Sequence, residues 1–342
     1  MKSARLYVLT GLIALFLSVS PRRSAAATHH LAPTPQTVVW GYFDAQSPPV
    51  LRINSGDTVE VETLMAGDLA RVQEAGIPAD QIQPALRDID RELKDRRVGP
   101  HILTGPIWVE GAEAGDVLEI RLKSIEMMIP YAVNAFRPGA GTLPDEFPYA
   151  RVKVTALDLT RKVAKFADGI EIPTRPFFGV MGVAPPHGNG RISSAPPWIH
   201  GGNMDNKDLV AGTTLYLPVH AKGALFLVGD GHAGQGDGEV CLTAIETSLK
   251  ASLQFVVRKD MRLGWPRAET PTHYITMGFN ENLEEAARIA LREMLDFLVT
   301  EKHLTRDTAY FLASDAVDFH ITELVDGNKG VHALLPKAIF VH

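Results

Sequence analysis

From about residue 37 onward, apolar and polar positions alternate along the chain in short runs. Residues 37–43 and 58–64 read TVVWGYF and TVEVETL, which are rich in β-branched and aromatic residues. A period of two is typical of strands that bury one face. The same pattern returns in six later segments, 116–127, 149–159, 212–221, 224–230, 240–259 and 272–279. The chain is therefore expected to form many short strands, mostly antiparallel.

Three segments depart from this alternation and predict helices. Residues 75–96 are polar and charged, helical after Pro84, and are typical of a surface excursion between strands. Residues 282–303 predict the clearest helix, because Asn282 can cap it while Glu285 follows three positions later. A shorter helix is expected within 305–319. The predicted class is α+β, mainly antiparallel β in a barrel-like or sandwich-like arrangement, with peripheral and C-terminal helices.

Composition adds few constraints. The 342 residues are 45% hydrophobic and 22% charged, as in soluble globular proteins. A formal net charge of −6 without a basic block argues against a nucleic-acid partner. The single cysteine, Cys241, cannot form an internal disulfide.

The N-terminus has the order of a secretory signal peptide. Lys2 and Arg5 precede an apolar run over 6–19, and three alanines follow at 25–27. We expect residues 1–27 to be a signal peptide, 28–342 to be one catalytic domain, and the protein to be exported, to the periplasm, without stable membrane insertion after cleavage. The alternative is an uncleaved N-terminal anchor.

Two glycine-rich polar segments carry the candidate chemistry. They read HGGNMDNKDL at 200–209 and GDGHAGQGDGE at 229–239. Taken separately, each is typical of an ordinary turn, because Asn, Asp and Gly suit tight turns. Asp230 and His232 are two positions apart, so an extended strand would point both to one side. We interpret the two segments as the ends of one hairpin, brought together through the strand at 213–221, and therefore as one metal and proton-transfer site.

The residue types favour metal-assisted or carboxylate-assisted hydrolysis. No Gly-x-Ser-x-Gly elbow and no phosphate loop is present. Imidazole and carboxylate groups can hold a cation that activates water, and a further carboxylate can take the proton. Glu239 is the preferred base, because the apolar run after it would raise its pKa. Asp237 and His200 complete the candidate catalytic set.

These two segments resemble the signature of the acetamidase/formamidase family of amide hydrolases. The resemblance extends to residues 101–122, with a Gly-Pro-Ile-x-Val-x-Gly-Ala-x-x-Gly-Asp-x-Leu block, and to FFGVMGVAPP at 177–186. Residues 312–340 resemble the C-terminal part of the family, with Asn-Lys-Gly-Val and Leu-Pro-Lys. The resemblance therefore covers the chain from about residue 51 to residue 340.

The resemblance implies a β-rich fold, self-association as a dimer or higher homo-oligomer, and a divalent metal, zinc or else calcium. It also implies hydrolysis of a short linear amide to a carboxylate and ammonia. We expect Asp205, Asp230 and His232 to be metal ligands, with His200 as a fourth ligand or a partner of one. Asn203 and Gln235 are expected to bind substrate. His101 is a weaker candidate, since a lone histidine at a strand edge is usually structural.

Two alternatives stay open at this point. The chain could be a metallohydrolase of another bond type, such as an ester or a lactone, or a non-catalytic periplasmic binding protein on the same fold. The family acts on formamide and acetamide in the cytoplasm in many members, whereas this chain has an export pattern and the charged excursion at 67–97. Both features raise the question of which amide it uses.

Overall fold

The computed structural model describes residues 26–96 and 98–341, and short strands dominate it. The first eleven strands are β1 (Thr28–Leu31), β2 (Val38–Trp40), β3 (Tyr42–Phe43), β4 (Leu51–Ile53), β5 (Thr58–Glu62), β6 (Ile102–Val109), β7 (Val117–Met127), β8 (Tyr131–Phe136), β9 (Arg151–Asp158), β10 (Val163–Ala167) and β11 (Ile170–Pro173). The others are β12 (Phe177–Gly182), β13 (Ile192–Ser193), β14 (Gly201–Asn203), β15 (Thr214–Pro218), β16 (Phe226–His232), β17 (Leu249–Arg258), β18 (Arg267–Glu269), β19 (His273–Asn280), β20 (Asp318–Glu323) and β21 (Lys329–Pro336). The helices are α1 (Leu69–Glu74), α2 (Pro84–Glu92), α3 (Leu283–Thr300) and α4 (Arg306–Ala316).

Two large sheets enclose the main hydrophobic core. One has nine strands in the order β1-β5-β17-β7-β15-β18-β19-β21-β20, and the other has the order β14-β12-β16-β6-β2, with β4 also paired to β6. Val59, Ile120 and Phe255 of the first sheet are in one buried cluster with Phe178 and Phe226 of the second. Within the described residues, β1–β5 and β4–β6 are the parallel strand pairs, and the others are antiparallel. The predicted sandwich-like, mainly antiparallel class is confirmed.

A small four-stranded sheet and the helices lie around this sandwich. The small sheet has the order β11-β10-β9-β8. Helix α3 begins after Asn282, whose side-chain oxygen accepts a hydrogen bond from Glu285 N at 3.0 Å, as the capping pattern predicted. Helix α4 follows at the expected place, and both helices pack on β21 through one buried cluster. Pro84 is the first residue of α2, so the helix expected in the excursion is confirmed.

The hairpin proposed for the two polar segments is wrong. β12 lies between β14 and β16, and β15, the strand that joins them in sequence, belongs to the nine-stranded sheet. The two segments do meet, but across β12. The long strand expected over 240–259 is also shorter, because β17 begins only at Leu249 and residues 239–248 form an irregular connection.

The predicted signal peptide falls on residues that the structure does not describe, apart from residues 26 and 27, and it stays a prediction. No helix in the described part of the chain is long and apolar enough to cross a membrane.

Candidate metal centre

The site begins at the end of β16, in the middle of the six-stranded sheet. All seven residues of this strand are buried, and its apolar half is followed by Asp230 and His232. His232 Nε2 lies 3.3 Å from Asp230 Oδ2, so the expectation that these two side chains share one side of the strand is confirmed. The glycine between them is required by packing, because a Cβ on Gly231 would lie 2.6 Å from the carbonyl oxygen of Thr247. The neighbouring backbone thus excludes larger residues here.

Gln235 determines the tautomer of His232. Its side-chain Nε2 donates to the backbone oxygen of Asp205 at 2.9 Å, and this oxygen can only accept. The amide oxygen of Gln235 must therefore be the atom that faces His232 Nδ1 at 3.0 Å. Nδ1 consequently carries the hydrogen and donates it, and the lone pair of the neutral ring is at Nε2. That tautomer is the one a metal ligand needs.

Four carboxylates surround this Nε2 atom. Besides Asp230, Glu246 Oε2 is 3.3 Å away, Glu239 Oε1 is 3.9 Å away and Asp205 Oδ1 is 4.0 Å away. All five side chains are almost fully buried. They form two overlapping groups of potential ligand atoms, Asp205–His232–Glu239 and Asp230–His232–Glu246, each within 4.8 Å.

Gly179 of β12 makes room for these carboxylates. A Cβ at this position would overlap Asp205 Oδ1 and would lie 2.5 Å from Asp230 Oδ2 and 3.1 Å from His232 Cε1. The strand between the two polar segments therefore contributes an empty space. Backbone φ is positive at both Asp205 (48°) and Asp230 (56°), and the carboxylates of both residues reach this space.

Further polar groups extend the cluster toward β6 and the β20–β21 connection. His101 Nε2, just before β6, lies 3.7 Å from Asp230 Oδ2. Asn203 Nδ2 donates to Asp326 Oδ2 at 2.9 Å. Glu323, at the end of β20, is fully buried and accepts hydrogen bonds from the backbone of residues 325 and 326.

Burial and mutual repulsion shift the pKa values of the carboxyl groups. Burial, with repulsion from Asp326, raises the pKa of Asp205 well above its usual range, and burial with repulsion from Asp205 does the same at Glu239. Burial also raises the pKa of Glu323 to about 8 and that of Asp326 to about 6. The site thus holds more carboxylates than its own cationic groups can balance.

The remaining shifts come from the two histidines. Burial alone lowers the pKa of His232, but the adjacent Glu246 and Asp230 outweigh it and raise this pKa well above the usual value. Burial acts to raise the pKa of Asp230, whereas His101 and His232 outweigh it and hold the pKa below its usual range. The Nε2 position of His232 is therefore where the surrounding carboxylates favour a positive charge.

The donor set fits a divalent cation. Several buried polar atoms converge here without a hydrogen-bond partner in the described part of the chain: Asp205 Oδ1 and Oδ2, His232 Nε2, Glu246 Oε2, Glu323 Oε1 and Asn203 Oδ1. Buried polar atoms are otherwise almost always paired, because an unpaired one costs about 1–3 kcal/mol. Carboxylate oxygen together with imidazole nitrogen is a ligand set that suits zinc, and a set richer in carboxylate suits harder cations. Of these residues, Asp205, His232 and Glu246 belong to the two groups described above, and they are candidate metal ligands together with Asp230.

A small cavity opens above the cluster. Its volume is about 120 Å³, and its walls include Asn203, Asp230, Glu239, Glu246 and Asp326. Pockets for drug-sized ligands are about 300–1,000 Å³, so this one suits a much smaller molecule.

Two of the residues expected to be catalytic lie elsewhere. Asp237 forms ion pairs with Lys207 at 2.9 Å and with His320 at 3.3 Å. His200 is fully buried, and its ring packs edge to face with that of Phe43, with 4.7 Å between the ring centroids. Neither forms a hydrogen bond or ion pair with the cluster among the described residues. Burial, with a smaller contribution from a second histidine, lowers the pKa of His200 to about 3 and keeps this ring neutral.

A second histidine–aspartate group lies beside the first. Asp208, His320 and His332 place potential ligand atoms within 4.8 Å of one another. Here the negative charge of Asp208 is already balanced, because its Oδ2 atom lies 3.3 Å from His332 Nε2 and its Oδ1 atom lies 3.5 Å from Arg175. The bond from His332 lowers the pKa of Asp208. The first group, whose carboxylates are not compensated, is therefore the better candidate metal centre.

The sequence interpretation missed four members of this site: Gly179, Glu246, Glu323 and Asp326. Glu246 was read as part of a continuous strand, and a buried carboxylate between apolar neighbours in 240–248 was the signal available for it. Glu323 and Asp326 come from the C-terminal region, about 90 residues after His232. Nothing in the local pattern connects them to it.

Comparison with known sequences and solved structures finds similar proteins. The sequence profile of the Acetamidase/Formamidase family matches residues 39–191 and 187–342. The formamidase of Methylophilus methylotrophus is 26% identical over 313 residues, which are 70% of this chain and 77% of that protein. A Schizosaccharomyces pombe protein whose name includes the word formamidase is 25% identical over 262 residues, and the match spans 61% of each chain, less than two thirds of that relative. The crystal structure of an acetamidase from Yersinia enterocolitica superposes with a TM-score of 0.80 at 30% identity and covers 94% of this chain and 95% of its own.

Proposed function

This chain belongs to the Acetamidase/Formamidase family, and from that premise we propose that it is a metal-dependent amidohydrolase of short linear amides. The reaction consumes water and an amide, breaks the C–N bond, and releases ammonia and a carboxylate. Zinc is the proposed metal and calcium the alternative.

One observation carries the metal part of the proposal. Gln235 leaves the lone pair of His232 Nε2 facing four buried carboxylates, and several of their oxygens have no hydrogen-bond partner within the described residues. A divalent cation beside Nε2 would give a partner to this nitrogen and to the unpaired carboxylate oxygens nearest to it. Asp230, His232 and Glu246, whose ligand atoms lie within 4.8 Å of one another, would hold it, and Asp205, 4.0 Å from His232 Nε2, would be a further ligand.

A metal bound there supplies an activated water and a polarised substrate carbonyl. Glu239 lines the cavity and has a raised pKa, so its carboxylate can take the proton of the attacking water and return it to the leaving nitrogen. Asn203 Oδ1 is buried without a partner in the described part of the chain, and it can accept an N–H of the substrate amide. Asp326 orients Asn203 for this role through the hydrogen bond to Nδ2.

Two further features belong to the proposal. The N-terminal pattern of residues 1–27 supports export to the periplasm. Family membership supports a homo-oligomer, a dimer or a larger assembly.

The test combines elemental analysis of the purified protein with ammonia release from formamide, acetamide and propanamide. We expect bound metal and ammonia release, both lost in Asp205→Asn and both retained in Asp68→Asn, a matched change at an exposed carboxylate that caps α1. Full ammonia release after exhaustive chelation, with no metal retained, would remove the metal from the mechanism and leave the amidase assignment. Hydrolysis of short esters without any amide would favour the other bond type, and hydrolysis of neither would favour a binding protein.

A further inference from the structure

Two arginines line the cavity above the cluster. Arg71 comes from α1 in the excursion, and Arg137 directly follows β8. Apart from His101, the other ionisable side chains of the cavity wall are acidic: Asp230, Glu239, Glu246 and Asp326. Positively charged side chains here can either balance the charge of the carboxylates or bind an anionic ligand.

Neither guanidinium group has an ion pair or a hydrogen bond with a described residue. The other arginines of the excursion are engaged: Arg87 donates to the backbone oxygen of Ile82, Arg91 pairs with Asp88 and Glu92, and Arg96 pairs with Asp90. Arg71 is thus the arginine of the described excursion whose donors are all available, and it is the one that faces the cavity.

The backbone is arranged to accommodate the Arg71 side chain. A Cβ on Gly67 would lie 2.8 Å from Arg71 Cδ and 3.6 Å from Nη1, so this side chain rests against the bare Cα of Gly67. Gly67 has φ of 104°, a conformation that favours glycine. Ala66, its neighbour, is part of the cavity wall. The turn at Gly67 therefore leaves space for the Arg71 side chain beside the cavity.

The excursion that carries Arg71 is anchored to the body of the protein. Val72 of α1 and Leu86 and Ile89 of α2 are buried in one hydrophobic cluster with Tyr131 of β8. Met65 N donates to Ser248 Oγ at 2.9 Å, two residues beyond Glu246. This packing holds α1 in a defined position relative to the metal centre.

We propose that Arg71 and Arg137 form an anion-binding subsite, and that the substrate is a small amide that carries a carboxylate close to its amide group. This inference rests on the proposed function and specifies its substrate. Guanidinium groups bind carboxylates through paired, charge-assisted hydrogen bonds. A volume of about 120 Å³ leaves room for a short link between the two groups of such a substrate.

The test uses three amides of similar size: malonamate, which has a terminal carboxylate, 3-methylbutanamide, its neutral isostere, and glycinamide, which has a terminal ammonium group. We expect the wild-type enzyme to prefer malonamate. Arg71→Gln and Arg137→Gln should each lower kcat/KM for malonamate by about 10- to 100-fold and change that for 3-methylbutanamide by less than about threefold, because the lost contact is a charged hydrogen bond. Arg91→Gln, on the exposed surface of the same excursion, is the matched control and should change neither value.

Three results would overturn the subsite. One is a wild-type preference for the neutral isostere or for glycinamide. Another is an equal loss on both substrates in the arginine variants together with loss of bound metal, which would mean that the arginines only balance the cluster. The third is malonamate binding, measured by calorimetry, that is the same in the wild type and in Arg71→Gln and Arg137→Gln. Binding that weakens in these variants while no amide is hydrolysed would support the subsite and reject the proposed function.

Discussion

Gln235 fixes the proton of His232 on Nδ1. Its amide nitrogen is committed to the carbonyl oxygen of Asp205 at 2.9 Å, which leaves its amide oxygen for Nδ1 at 3.0 Å. One side chain therefore connects the backbone of the first polar segment to the imidazole of the second. It also directs the lone pair of Nε2 toward the carboxylates.

Gln235→Ala should therefore weaken metal binding without removing a ligand. Loss of a hydrogen bond that orients a metal-bound histidine typically costs about 10- to 100-fold in affinity. Competition with a chromophoric chelator measures this change. Gln254→Ala is the control, because Gln254 Nε2 donates to the backbone oxygen of Gly56, away from the metal centre. The metal affinity of this variant should equal that of the wild type. An unchanged affinity in Gln235→Ala would contradict the orienting role.

Gly179→Ala should disrupt the centre from the strand behind it. The added methyl group would overlap the carboxylates of Asp205 and Asp230, and the β12 backbone cannot retreat, since it pairs with both β14 and β16. We expect loss of bound metal and a free energy of unfolding lower by about 1–3 kcal/mol, the range found for overpacked cores. Gly188→Ala, where a Cβ meets open space, should leave both quantities unchanged. Normal metal content in Gly179→Ala would show that the space is not needed.

The sequence was sufficient to predict the fold class and to single out several residues that the structure brings together in the candidate site. Alternation with a period of two predicted the strands, and Asn282 predicted the start of α3, because these signals are local. Asp230 and His232 were predicted together for the same reason, since they are two residues apart on one strand.

What could not be predicted depends on strand order. Local pattern does not reveal that β12 separates β14 from β16, so the hairpin interpretation failed and Gly179 was overlooked. Glu323 and Asp326 reach the cluster only because β20 and β21 extend the other sheet past it. Asp237 was assigned to catalysis from its position in an acidic loop, whereas Lys207 and His320 hold its side chain on another side of that loop.

Glu239→Gln should separate proton transfer from metal binding. The amide has the same shape as the carboxylate but cannot take a proton, so kcat for an amide should fall by about 10²- to 10⁴-fold, the usual contribution of a general base. Bound metal should remain near the wild-type amount, while Glu246→Gln should lose metal as well as activity, since Glu246 is 3.3 Å from His232 Nε2. If Glu239→Gln loses its metal to the same extent, Glu239 is a ligand and another group is the base.

Asp205→Asn should change stability in opposite directions with and without metal. Burial and the repulsion from Asp326 raise the pKa of Asp205, so removing its charge should stabilise the chelated protein by about 1–3 kcal/mol. Asparagine also tolerates the positive φ at this position. Excess metal should stabilise the wild type through binding to the folded state and should have little effect on the variant. Urea unfolding with chelator and with zinc measures both. The same order of stability under the two conditions would argue against a metal at this site.

Glu293 on α3 should make stability depend on pH away from the metal centre. Burial, together with repulsion from Asp296, raises its pKa from 4.5 to about 7 in the folded protein. The folded state thus binds the proton of Glu293 more tightly than the unfolded state. The contribution of this carboxyl group to stability is therefore fully present below about pH 4.5 and is lost as pH rises through about 7.

Glu293→Gln cannot ionise and should escape this loss. At pH 8 we expect it to be more stable than the wild type by about 1–2 kcal/mol, a range reduced for the partial solvent exposure of the side chain. At pH 4.5 the two proteins should be equally stable, because Glu293 is then protonated in the folded state. Urea unfolding at both pH values measures the difference, with Glu284→Gln on the exposed first turn of α3 as the control. A difference of the same size at pH 4.5 and pH 8 would mean that the gain comes from packing and not from the charge of Glu293.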